Sequence, residues 1–172
     1  MLLFSRLMRY LGRQQRKLEG RPAERLYQSI LQASRQPNLY IEFEVHDHLD
    51  SRFDMLCLHI SLLMGRLRML PEDVHKPLNQ ELFDRFFADM DFTLREMGVG
   101  DLGVGKRVRK MSEAFMGRLM AYTESLERND KMELALVLAR NIRRSHDSSD
   151  ADRRMADYVL QSRDRLSAVG DN

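Results

Sequence analysis

The chain has 172 residues, 43% of them apolar and 31% charged, with a formal net charge of +2 and a single cysteine. That length provides one domain with room for a real core, and that composition rules out global disorder and a nucleic-acid binder driven by bulk charge. The longest apolar runs, Leu134 to Ala139 and Ile60 to Met64, fall far short of the ~18 residues a membrane-spanning helix needs, and one cysteine forms no intrachain disulfide.

Charge is nonetheless uneven along the chain. Residues 1 to 36 carry eight Arg or Lys against two acids, and residues 2 to 18, LLFSRLMRYLGRQQRKL, read as a basic amphipathic helix over about 1–20. Phe4, Leu7, Met8 and Leu11 fall on one side; Arg6, Arg9, Arg13, Arg16 and Lys17 fall on the other. Such a helix suits an anionic membrane interface, resembles an organellar transit peptide, and is equally readable as a terminal helix packed on its own domain. The predicted membrane contact is Phe4, Arg6, Leu7, Arg9, Leu11 and Arg13. Twelve methionines add adaptable apolar side chains, although most fall on core-facing positions.

Gly20 breaks this pattern, and Pro22 restarts a helix with Tyr27 and Ile30 on its apolar side that ends near Pro37. Residues 39 to 46 alternate apolar and polar. A lone strand has no ladder to join, so an extended loop near residues 38–48 is predicted, laid across the helices. His46 and His48 flank Asp47, but no further ligand cluster supports a metal site, and none is expected. Asp50 or Ser51 is the predicted cap of a helix from about 52 to 70, stopped by Pro71, with Cys57 as a core residue and His59 as a core or edge one. Pro77 is taken as the start of the next helix.

The stretch from Phe83 to Arg118 holds the most information. Leu82, Phe83, Phe86, Phe87, Met90, Leu94 and Met97 share one helical face, as a core-covering helix requires. Arg85, Asp89, Phe92 and Glu96 form a flanking stripe at spacings of three and four. Phe92, an aromatic among charges, either packs on a second helix or serves a partner. Gly98 is expected to close this helix in a left-handed conformation, and the next helix to begin near Gly105 after a turn with four glycines. Gly98-x-Gly100-x-x-Gly103 and Gly100-x-x-x-x-Gly105-Lys106 mimic nucleotide-binding spacings, but no strand precedes either, and Arg107 stands where a magnesium-holding hydroxyl belongs. Val108, Met111, Phe115, Leu119, Tyr122 and Leu126 make the core face of the second helix. Lys110, Ala114, Gly117 and Ala121 make a stripe of mostly small residues on roughly the opposite side, with Gly117 marking a close approach of another backbone, from this chain or a partner.

Residues 131 to 143 are apolar on almost every side, as in a central helix covered by others. Asp147-Ser148-Ser149-Asp150 is a polar linker with capping residues before a last helix over about 151–168.

Phe87-Ala88-Asp89-Met90-Asp91, Leu94 through Leu102, Val104 through Val108, Lys110-Met111 and Glu113-Ala114-Phe115 together resemble the signature of the ubiquinol–cytochrome c chaperone family. Asp50 through Leu56 with Leu58-His59 resembles its other well-marked segment, so the match spans about residues 45 to 120. The chain departs from that pattern at Val45-His46-Asp47-His48, at Ser51-Arg52-Phe53 and at Met116, where an aromatic is usual. The resemblance implies an assembly factor of the cytochrome bc1 complex, organised as a terminal helix at 1–20 and a chaperone domain at 21–172. It also implies newly made cytochrome b as partner, no cofactor and no small-molecule substrate. The location it implies is the cytoplasmic side of the inner membrane in a bacterium, or the mitochondrial matrix side in a eukaryote. The short chain is more similar to bacterial members.

The residues on their own exclude little else so firmly. Asp89 and Asp91, two apart, point to different sides of a helix, and no nucleophile–base set is evident, so no catalytic residues are expected. A basic helical adaptor contacting RNA or the ribosome through the N-terminal arginines and Lys106, Arg107, Arg109 and Lys110 is the alternative function. The fold expected is all-α, one compact domain of six to seven helices. The partner-binding residues expected are Arg85, Asp89, Phe92, Arg95, Glu96, Asp101, Lys106 and Lys110, with structural ion pairing between the two helices as the competing role for the charges.

Overall fold

The computed structural model describes residues 22–168. The basic N-terminal helix and its membrane-contact residues Phe4, Arg6, Leu7, Arg9, Leu11 and Arg13 lie outside the described residues. Among these there are seven α-helices and no strand: α1 Pro22–Ser34, α2 Pro37–Glu42, α3 Leu49–Leu67, α4 Glu72–Glu96, α5 Asp101–Arg128, α6 Lys131–Leu138 and α7 Asp150–Ala168. A π-helical turn, Ala139–Arg143, continues α6.

The all-α domain is built around α3. Its sequence is apolar on most sides, and 14 of its 19 residues are buried. Each fully buried apolar side chain contributes about 1.5–3 kcal/mol, so this helix outweighs any single cap or surface pair. One side of α3, with Met55, Leu58 and Leu62, packs against α2, α6 and α7 through Leu39, Leu134, Leu138 and Val159. The other, with Leu56, Ile60, Leu63 and Leu67, packs against α1, α4 and α5 through Tyr27, Phe86 and Phe115. The polar residues that α3 buries are all partnered. The His59 ring bonds the Met55 carbonyl at 2.7 Å through Nδ1 and the Tyr158 hydroxyl at 2.8 Å through Nε2, and burial lowers its pKa. Asp54 holds Arg118 at 2.8 Å from α5 and Arg144 at 2.7 Å from the end of the π turn.

Several local expectations are corrected. The alternation over 39–46 is not extended throughout: Pro37 opens the short helix α2, which buries Leu39 and Tyr40, and the chain then turns so that Phe43 and Val45 also point inward. Leu39 and Phe43 are four apart, a spacing that serves a helical turn as well as an alternating strand. The loop is confined to residues 43–48. His48, rather than Asp50 or Ser51, caps α3, with its Nδ1 accepting from the Ser51 amide at 3.3 Å. Pro77 does not begin a helix but sits inside α4 on its exposed side, where the carbonyl it leaves without an intrahelical bond faces water. Residues 131–143 are well buried, but the central helix is α3, and the last turn of that segment is π rather than α.

Candidate partner-binding face

Helices α4 and α5 form an antiparallel hairpin. Gly98, at φ 80°, closes α4: its amide bonds the Arg95 carbonyl at 2.9 Å and the Val99 amide bonds the Leu94 carbonyl at 3.1 Å. This paired bond pattern ends a helix with a left-handed residue, as the glycine's position in the sequence implied. The turn is shorter than four glycines suggested. Gly100 caps α5, and Gly103 and Gly105 already lie inside its first two turns.

Arg95 clamps the turn. Its Nε donates to Asp91 Oδ2 at 2.6 Å, and its Nη1 reaches Asp101, an acid in the first turn of α5 where the helix dipole favours it. These two carboxylates raise the Arg95 pKa. The clamp leaves Arg95 and Asp101 in solvent, so it orients the hairpin more than it stabilises it.

Arg85 and Asp89 are drawn together with α1. Arg85 Nε donates to Glu24 at 2.8 Å and its guanidinium lies 5.0 Å from the centre of the Tyr27 ring. The Tyr27 hydroxyl donates to Asp89 Oδ2 at 2.8 Å, and burial together with that carboxylate pushes the Tyr27 pKa up. Both α4 side chains are about four-fifths covered, so this half of the stripe fastens α1 to α4.

Phe92 and Glu96, the other half, are free of α1. Phe92 is 54% exposed, on the side of α4 opposite the fully buried Phe86. Glu96, Lys106 and Lys110 are exposed, and no ion pair joins them to any described residue. Met97 belongs with this surface rather than with the core face first assigned to it, because the helix ends at that point and α5 no longer covers it; it is 56% exposed.

Pattern reading missed the apolar residues on the outer side of α5. Leu102 is 96% exposed, and Met116 and Met120 are each more than half exposed. Their signal was present: all three fall off the face of Val108, Phe115 and Tyr122 on the wheel, Leu102 and Met120 by more than a third of a turn on average and Met116 by somewhat less. Gly117, between them, has open space where a side chain would stand, so no backbone among the described residues approaches it closely.

The face is an exposed apolar surface edged with charge. Among the described residues no three His, Cys, Asp or Glu side chains converge to hold a metal ion. No described helix is long and apolar enough to cross a membrane. Fold and face together define an all-helical domain with an outward apolar hairpin. The chain belongs to the ubiquinol-cytochrome c chaperone family, whose model matches residues 42–172. It is similar to the crystal structure of the Cbp3 homolog from Brucella abortus, with 38% identity, a TM-score of 0.79, and coverage of 95% of this chain and 90% of that one. No curated protein matches it.

Proposed function

We propose that this protein is a non-enzymatic assembly factor of the cytochrome bc1 complex that holds newly made cytochrome b at the membrane surface until it joins its partner subunits. The observation that carries this reading is the hairpin tip, where family-matched sequence leaves Phe92, Met97 and Leu102 exposed beside Glu96, Lys106 and Lys110. A membrane subunit caught before assembly exposes apolar helix surface and polar loop ends. A small apolar patch with a charged edge binds both with moderate affinity and releases them. Arg85 and Asp89 support the face by fixing α1 beside it, and Arg95 with Asp101 sets the angle of its turn. The basic N-terminal segment supplies the membrane contact, through charge attraction to anionic lipid and insertion of Phe4, Leu7 and Leu11.

Photo-crosslinking in membranes tests the reading, with the probe at Phe92 and, as control, at buried Phe86. Crosslinks to cytochrome b from Phe92 but not from Phe86 support it. Silence at Phe92, with cytochrome b assembling normally in cells that lack the protein, removes both the partner and the face. Binding to anionic liposomes that persists after deletion of residues 1–20 removes the membrane role of that segment.

A further inference from the structure

The outer side of α5 carries a pattern that the hairpin tip does not use. Within about 60° of one line along the helix lie Lys106, Arg109, Glu113, Met116, Gly117, Met120, Glu124 and Glu127. All are exposed. The apolar middle is flanked by a basic end, Lys106 and Arg109, and an acidic end, Glu124 and Glu127. Among the described residues Arg109 pairs only with Glu113 on its own helix, at 3.2 Å and with both side chains well exposed, so solvent screens the contact. Lys106, Glu124 and Glu127 have no ion-pair partner among the described residues.

We infer that this stripe docks on the same stripe of a second copy of the chain, antiparallel, about a two-fold axis that passes between Met116 and Gly117. That axis matches both ends of the stripe, while Glu113 stays with Arg109 of its own helix and lies beside Met120 of the second copy. It sets Lys106 opposite Glu127 of the second copy and Arg109 opposite Glu124 of the second copy, and the symmetry repeats both pairs. At the centre, Met116 enters the open space over Gly117 of the second copy, where an added Cβ would meet nothing among the described residues. Met120 flanks this contact on either side. A parallel pairing sets like charges together at both ends. The stripe from residue 106 to 127 is about 32 Å long at 1.5 Å per residue. One helix face of that length lies below the standard interface of about 800 Å² per partner, so the pairing is weak and reversible, in the range of about 10–100 µM. This inference concerns self-association and stands apart from the cytochrome b reading. The two meet at Lys106, which the dimer covers, so a bound cytochrome b segment and a second copy compete there.

The test is sedimentation of the full chain from about 1 µM to about 1 mM. Three samples are compared: wild type, Lys106→Glu with Arg109→Glu, and Glu124→Lys with Glu127→Lys. All four positions are on the surface, and circular dichroism checks that the helices persist. Wild type is expected to dimerise with concentration, and each double variant to associate at least ~10-fold more weakly. An equimolar mixture of the two variants is expected to recover wild-type association, because each reversed end then meets its complement. Wild type that stays monomeric over the whole range overturns the inference. So does a mixture that associates no better than its components, since the charge pairing across the two-fold axis would then be wrong.

Discussion

The inner and outer sides of the α4–α5 hairpin use the same kinds of residue to opposite ends. Inward, Leu82, Phe86 and Phe115 are fully buried; outward, Phe92, Leu102, Met116 and Met120 are all more than half exposed. Folding gains from the first set and gains almost nothing from the second, because the hydrophobic contribution scales with area removed from water. The outer set therefore gains its burial only when something binds. Charge divides the same way. Arg118, on the inner side, is 14% exposed and meets a buried carboxylate, whereas Arg109, on the outer side, is 82% exposed and meets only its neighbour four residues on.

The sharpest way to break this comparison is to truncate one aromatic on each side. Phe86→Ala removes a ring that stacks on Phe53 at 5.7 Å and meets Phe115 at a tilt at 5.5 Å, and it is expected to cost about 3–5 kcal/mol in urea unfolding. Phe92→Ala is expected to change stability by less than ~0.5 kcal/mol while abolishing the cytochrome b crosslink. Equal losses from the two truncations would place Phe92 in the core and remove the outer face.

The charged pair comes next. Arg118→Ala leaves the buried Asp54 with Arg144 as its remaining cation, so an expected cost of about 2–4 kcal/mol follows, against less than ~0.5 kcal/mol for Arg109→Ala. If both substitutions were equally mild, the inner ion pair would be no more than a surface contact.

Acidity sharpens the same point with a smaller effect. Burial pushes the Asp54 carboxyl up from its ordinary 3.8, and Arg118 and Arg144 pull it only part of the way back. The folded state therefore holds this proton more tightly than the unfolded chain. Its contribution is fully present below the unfolded value and is lost as pH rises through the folded one, at no more than about 1.4 kcal/mol per pH unit. Other carboxylates titrate over the same range, so the quantity to measure is wild-type stability minus that of Asp54→Asn. That difference should favour wild type most near pH ~4 and decline as pH climbs. A difference that grows with pH would mean the two arginines outweigh desolvation.

Much of this arrangement was legible in the sequence, and the reasons for the rest are physical. The 3.6-residue period exposed the core faces of α4 and α5, and Gly98 announced its left-handed turn, because both depend on local order alone. Pro37–Glu42 was not legible, since six residues are too few to separate a helical from an alternating pattern when Leu39 and Phe43 satisfy both. Pro77 misled because proline is a breaker on average, yet is tolerated where the freed carbonyl meets water. The pairing of Arg85 and Asp89 with Glu24 and Tyr27 joins residues about sixty apart in the chain, and no spacing rule reaches that far. Leu102, Met116 and Met120 escaped for another reason. A wheel that looks for one apolar face treats apolar residues on the far side as noise.

Gly117 sets the fine edge of the comparison, because there the interests of the folded chain and of the outer face diverge. It sits in mid-helix with nothing among the described residues near the place a Cβ would take, so there it gives flexibility and no packing. Gly117→Ala should therefore stabilise the isolated protein by about 0.5–1 kcal/mol, by reducing the freedom of the unfolded backbone. The methyl group also lifts a second helix away from the closest point of the stripe. Raised stability in urea at low protein concentration, together with weaker association in the sedimentation series, would show that the glycine serves the contact rather than the fold. Raised stability with association unchanged would move the closest approach away from Gly117. A loss of stability would mean that the outer side of α5 is not open, and the contrast between the two faces would fail where it is simplest to measure.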